Sequence, residues 1–229
     1  MNRYVSSLAL LAAFSVAAIA PASAQFGGLL NITGLNQSGG ASFAATGAQM
    51  GVNVIVGLRS MATAVMFINQ AVGNQAAANR LQAVVDELKG LQQPDSAVIE
   101  RALKTIDANA VDRSTLAKAQ DQKSKQQVAQ SAGFVAIAVL FDAKAVNNAR
   151  QLSTLKPGPA DAIAVPGLLN TGKVIVTSFP AHIDHVTQYG SMLSTYMSDN
   201  KLTPPSKEAQ RADAKAQGAS AEQIKDILP

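Results

Sequence analysis

The sequence predicts a mainly α-helical bundle with one long central helix, an irregular N-terminal arm and short C-terminal helices. Residues with high helix propensity, above all alanine, glutamine and leucine, are abundant. Several segments repeat apolar residues at spacings of three and four, which places these residues on one face of a helix. Glycine and proline separate the segments, as expected for connections between helices.

The first 24 residues have the composition of a secretory signal peptide. Arg3 provides the positive start, residues 5–19 the apolar stretch, and the small residues ending at Ala24 the cleavage site. A retained membrane anchor is the alternative, but the apolar stretch is 15 residues long, shorter than the roughly 20 residues that span a bilayer. We therefore expect cleavage near Ala24 and release into the periplasm or the medium.

Three further regions follow the leader: an irregular arm (residues 25–40), a helical bundle (41–200) and a polar tail with short helices (201–229). The arm carries no charge and is rich in glycine and asparagine, which favours irregular structure. Residues 41–72 form an almost continuous apolar run with one charge, Arg59, and predict a buried helix. A membrane span is disfavoured, because a central charge costs about 3 kcal/mol.

Close packing is one interpretation of Gly47 and Gly51, which lie four residues apart within this run. Such pairs also arise by chance in a chain rich in small residues. An amphipathic helix follows over residues 74–91 and ends at Gly90, and a second one opens at Pro94 and Asp95.

The longest helical signal runs from Asp112 to about Leu155, where Pro157 stops it. Residues 133–141 are apolar on every side, so we place this helix in the middle of the bundle. A seam of residues at alternating steps of four and three runs along it, with Asp142 as its one carboxylate. The seam consists of Val128, Ala132, Val135, Val139, Asp142, Val146 and Ala149.

Residues 160–179 predict a helix interrupted at Pro166, with a β-hairpin turning near Asn170 as the alternative. A clearer helix is predicted to start at Pro180. In the tail, Ser206 is a candidate helix cap, and Ser220 with the glutamine three residues later forms a capping-box pattern.

Composition excludes several classes of protein. The chain has no cysteine, which rules out disulfides, thiolate metal sites and a lipoprotein anchor. Without Arg3 it carries 18 basic and 15 acidic residues, a surplus too small to indicate nucleic-acid binding. Tryptophan is absent and aromatic residues are few, which argues against a sugar site built on stacking.

Three isolated charges, Arg59, Asp142 and Lys173, stand in the most apolar segments. An unpaired buried charge costs several kcal/mol, so burial predicts a contact between Arg59 and Asp142 or between Asp142 and Lys173. The alternative is that each charge lies at a groove or extends to the surface.

The two histidines, His182 and His185, flank Asp184 and are predicted to share one face of a helix. This pair is the candidate metal site, although a closed zinc site needs further ligands. The alternative is two partly exposed residues beside tyrosines. The mature sequence lacks a nucleophile elbow and a phosphate-binding loop, so we predict neither an enzyme nor a cofactor.

The function predicted from these features is that of an exported, non-enzymatic envelope protein that binds an apolar ligand such as a lipid. A structural or assembly component of the envelope is the first alternative, and a metal-dependent enzyme using His182, Asp184 and His185 is the second. An internal void would favour ligand carriage, and a solid bundle with an exposed apolar groove would favour a protein partner. The predicted ligand-lining residues are Met50, Met61, Met66, Phe134, Phe141 and Met192.

Overall fold

A computed structural model of the protein describes residues 42–91, 93–161 and 165–228, and these residues form eight α-helices and no strand. The predicted leader and the whole of the predicted arm lie outside the described residues. One short 3₁₀ helix, Pro159–Asp161, precedes the sixth α-helix. The α-helices are α1 (Phe43–Ala71), α2 (Gln75–Gly90), α3 (Ser96–Ala108), α4 (Arg113–Leu116), α5 (Gln122–Leu152), α6 (Val165–Asp199), α7 (Lys207–Ala216) and α8 (Ala221–Ile227).

Seven of these helices begin at a side chain that accepts a hydrogen bond from a backbone N–H in the first turn. Ser220 and Gln223 form the capping box that the sequence predicts in the tail. The capping residues are Ser42, Asn74, Asp95, Asp112, Asp121, Ser206 and Ser220. Local sequence therefore sets where most of the helices start.

The central position of α5 in the bundle is confirmed. This helix packs mainly against α1 and α6, and every residue of its predicted seam is buried. Phe134, Ile137 and Phe141, which lie outside the seam, are buried as well. The apolar stretch that the sequence places at the centre is the centre of the core.

The prediction of one helix from Asp112 to about Leu155 was wrong at its start. Asp112 caps the four-residue helix α4, and α5 begins only after a break, with Asp121 as its cap. The Asp121 carboxylate accepts a hydrogen bond from the Ser124 amide at 3.0 Å. This hydrogen bond starts a new helix at Asp121. The local side-chain bond therefore decides the structure here, although the apolar periodicity predicts one continuous helix.

The prediction of a separate helix starting at Pro180 was also wrong, because α6 runs through Pro180 without interruption. Proline removes one backbone hydrogen bond, to the carbonyl four residues earlier. That carbonyl belongs to Val176, which is an exposed residue, so water can donate a hydrogen bond to the carbonyl oxygen. Pro166 lies in the first turn, where its missing N–H has no helical partner to lose. The hairpin alternative is wrong for residues 165–179, which are helical.

Two helices, α1 and α5, are long and apolar enough to cross a membrane. Within the bundle, 83% and 72% of their most apolar windows are buried, as in the core helices of soluble proteins. These helices supply much of a continuous core cluster.

Candidate functional site

An open apolar groove of about 540 Å³ runs along one face of α1. Its α1 wall extends from Ala44 to Arg59, a distance of about 22 Å at 1.5 Å per residue. The end of α2 and the following loop form a second wall, and Leu168 of α6 and the turn after α7 close the groove. The residues that line it include Ala48, Gly51, Val52, Ile55, Leu91, Pro94 and Leu168.

Two glycines of α1 bring the neighbouring walls of this groove close to the helix. A Cβ atom at Gly47 would lie 2.6 Å from Leu168 Cδ1, and one at Gly51 would lie 2.9 Å from Pro94 Cδ. The two glycines therefore let α6 and the loop after α2 approach the helix closely, as the close-packing interpretation of the pair requires.

Two cations and one carboxylate line the groove: Arg59, Lys89 and Asp161. Arg59 Nη1 donates to the Gln217 carbonyl at 2.6 Å, and Nη2 donates to the Ala216 carbonyl at 3.3 Å. The guanidinium thereby caps the C-terminus of α7, where the helix dipole favours a cation. Burial lowers the pKa of Arg59, and the charge of Asp86 opposes this effect.

No carboxylate forms an ion pair with Arg59 among the described residues. Asp161 is engaged locally, since its carboxylate accepts a hydrogen bond from the Gly158 amide at 2.7 Å. The groove therefore combines a largely apolar lining with a positive balance of charge.

A chain of three ionisable groups lies on the other side of α1. Asp142 is fully buried, and its Oδ2 lies 3.6 Å from His182 Nε2. His182 Nδ1 lies 3.7 Å from Oδ1 of Asp107, whose side chain reaches the surface. These distances exceed hydrogen-bond length, and neither Asp142 nor His182 has a side-chain hydrogen bond among the described residues.

Burial raises the pKa of Asp142 to about 7, and the nearby His182 opposes this shift. The carboxylate is confined by Gly57 of α1, because a Cβ atom there would lie 2.0 Å from Asp142 Oδ1. Only 3% of His182 is exposed, so the pair is sealed from a substrate. We read it as a structural element of the core.

The six predicted ligand-lining residues do not line the groove. Five of them belong to the buried core, and Met192 is partly buried against it. Phe134 stacks on Phe67 with ring centroids 5.8 Å apart. The prediction selected large flexible side chains, which fill the core, whereas other residues of α1, α6 and the loop after α2 line the groove. The six are Met50, Met61, Met66, Phe134, Phe141 and Met192.

Both predicted contacts between isolated charges were wrong. Arg59 is two positions from Gly57, which faces Asp142, so it projects about 200° around the helix and away from that carboxylate. Lys173 is exposed on α6, contrary to its prediction as a buried charge. Asp142 lies instead beside His182, a neighbour that the sequence analysis did not predict.

The two histidines of α6 differ in burial, although they lie only three residues apart. His182 is buried, whereas His185 and Asp184 are exposed, so the predicted metal pair is not assembled. Among the described residues, no group of three histidine, aspartate or glutamate side chains could hold a metal ion.

The sequence did contain a signal for the groove, namely the Gly47 and Gly51 pair with its neighbouring alanines. What it lacked was the identity of the opposite walls, since Leu168 and Pro94 are distant in the chain. Comparison of the chain with protein-family models, with curated proteins and with solved structures finds no match.

Proposed function

We propose that the protein is an exported, non-enzymatic binding protein that holds an anionic amphiphile, such as a fatty acid, in the groove along α1. The observation that carries this proposal is the groove itself, which is largely apolar along about 22 Å of helix and is lined by two cations and one carboxylate. Its volume of about 540 Å³ lies within the range of small-molecule sites.

The chemistry of the groove suits the two parts of such a ligand. Ala48, Val52 and Ile55 offer an apolar surface to an acyl chain, whose transfer from water is favourable. Lys89 is exposed and forms no ion pair among the described residues, so it can contact an anionic head group. Arg59 adds to the positive potential while it remains bonded to the α7 carbonyls.

A partner helix is the second candidate occupant, because a solid core with an exposed apolar groove is the arrangement that we expected for a protein partner. The two cations favour the amphiphile, since an apolar helix face would leave them without an anionic partner.

Filling the groove tests the proposal. Isothermal titration calorimetry with laurate should detect binding to the wild-type chain and a loss of at least about tenfold in affinity for Ala48→Phe, which corresponds to about 1.4 kcal/mol. Ala45→Phe is the matched control, because Ala45 is exposed on the same helix but does not line the groove. Its affinity should remain close to that of the wild type.

The charge preference is tested with the same calorimetry. Lys89→Glu should weaken laurate binding by roughly two- to fivefold, the range expected for an exposed charge pair. Dodecyltrimethylammonium, with the same chain and a positive head, should bind more weakly than laurate. Absence of laurate binding, or equal binding by Ala48→Phe and the wild type, would contradict the proposal.

A further inference from the structure

The first half of α6 presents an unusual surface to solvent. Between Asp161 and Asp184 the sequence contains one formally charged side chain, Lys173. Leu169 and Val176 on this half are 43% and 37% exposed, and they are two of the three large apolar residues most exposed in the described part of the chain. A surface helix normally turns charged residues outward, so this face requires an explanation.

These two side chains border a cleft between α5 and α6 of about 280 Å³. Arg150 and Lys173 also line the cleft, and no carboxylate does among the described residues. The surface thus joins exposed apolar side chains to two cations. We call this surface, formed by Leu169, Lys173 and Val176 of α6 together with Arg150 of α5, the α6 face.

The α6 face adjoins the groove along α1. Leu168 lines the groove, whereas its neighbour Leu169 lines the cleft. Gly172 lies against Met50 of α1 and Leu152 of α5, which brings the three helices together at this end of the bundle. A molecule that contacts the α6 face is therefore held next to the groove.

We infer that the α6 face docks on an anionic lipid bilayer. Apolar side chains beside lysine or arginine are the features by which helices lie in the membrane interface, where the cations meet anionic head groups. A second copy fits less well, because pairing through the same face would bring the two cations towards those of the partner. Docking itself does not depend on the proposed function. Only one consequence rests on that function, namely that the groove of the docked protein takes its ligand from the bilayer.

Because the chain has no cysteine, one introduced cysteine can report contact with the bilayer at a chosen position. An environment-sensitive nitrobenzoxadiazole label on the full-length Val176→Cys variant should shift to the blue with vesicles of equal phosphatidylcholine and phosphatidylglycerol. Vesicles of phosphatidylcholine alone should produce little shift. The control is the same label on Lys123→Cys, an exposed site near the opposite end of α5, about 40 Å from Arg150 along the helix.

Charge reversal completes the test. In the labelled Val176→Cys chain, Lys173→Glu should weaken the vesicle titration about tenfold, and Lys123→Glu should leave it unchanged. Equal shifts from both labelling sites, or no shift with anionic vesicles, would overturn the inference. A shift that grows with protein concentration in the absence of vesicles would overturn it in favour of self-association.

Failure of docking can be distinguished from failure of the proposed function, because the laurate titration contains no vesicles. Laurate binding without a label shift would leave the groove proposal intact and overturn docking. A shift without laurate binding would support docking and contradict the groove proposal.

Discussion

Replacing Gly57 by alanine is expected to lower the free energy of unfolding by about 3 kcal/mol. A Cβ atom at this position would lie 2.0 Å from Asp142 Oδ1, 2.8 Å from Asp142 Cγ and 3.2 Å from the Asp142 backbone nitrogen. The contact with the backbone nitrogen cannot be relieved by rotating a side chain, so α1 and α5 must separate. In an open helix the same substitution would stabilise the protein by up to about 1 kcal/mol.

Urea denaturation measures this difference, with Gly167→Ala as the matched control. Gly167 is also helical, but a Cβ atom there meets nothing within 4 Å, so its variant should be as stable as the wild type or slightly more stable. In the Asp142→Ala background, Gly57→Ala should cost at least about 1 kcal/mol less, because two of the three close contacts disappear. Equal effects of the two glycine substitutions would refute the close packing of α1 on α5 at Gly57.

The helix starts and the buried seam could be predicted because both are local properties of the sequence. Ser220 and Gln223 form their capping box within four residues, and the seam of α5 requires only the periodicity of one helix. The break before Asp121 was missed although its cap is local too. The helical periodicity over residues 112–155 gave no sign of the break between α4 and α5. At this break Asp121 alone caps the start of the new helix.

Pairing between distant segments was the part that the sequence could not specify. Asp142 was identified as an exceptional carboxylate on an apolar seam, but its neighbour depends on how α6 is rotated against α5. His182 turns inward and His185 outward, a choice that the adjacent charged and apolar residues do not determine. Arg59 donates hydrogen bonds to backbone carbonyl groups at the end of α7. A pattern of charged residues in the sequence cannot indicate partners of this kind.

The candidate site was missed for a related reason. Large flexible side chains such as Met50 were expected to surround a ligand, but they are the side chains best suited to fill a core. The groove lies between α1, the loop after α2 and α6, and the sequence indicated only the α1 segment, through its pair of glycines. The walls from Pro94 and Leu168 depend on tertiary packing.

Replacing Asp142 by asparagine is expected to stabilise the protein at pH 8 by roughly 2 to 4 kcal/mol, an advantage that should fade as the pH falls towards 4. The reference carboxyl pKa is 3.8, and burial raises that of Asp142 to about 7. Since one pKa unit corresponds to 1.36 kcal/mol, the full difference is about 4 kcal/mol. Asparagine has nearly the same shape and carries no charge at any of these pH values.

The sign follows from the protons bound in each state. Between pH 3.8 and about 7 the unfolded chain has released the Asp142 proton, whereas the folded chain still holds it. The folded state then binds more protons, so the contribution of this group to stability is complete below pH 3.8 and is lost as the pH rises through 7. The groups that face Asp142 are His182, with Asp107 behind it, and the uncharged Gly57.

Urea denaturation of the variant and the wild type at pH 4, 6 and 8 tests this prediction. The comparison uses the difference between the two proteins, because the capping carboxylates Asp112 and Asp121 have lowered pKa values and lose their contribution in acid. Asp184→Asn, which removes an exposed carboxylate two residues beyond His182, should give a nearly constant difference. A stability difference for Asp142→Asn that is equally independent of pH would mean that the buried carboxyl does not change its protonation on folding.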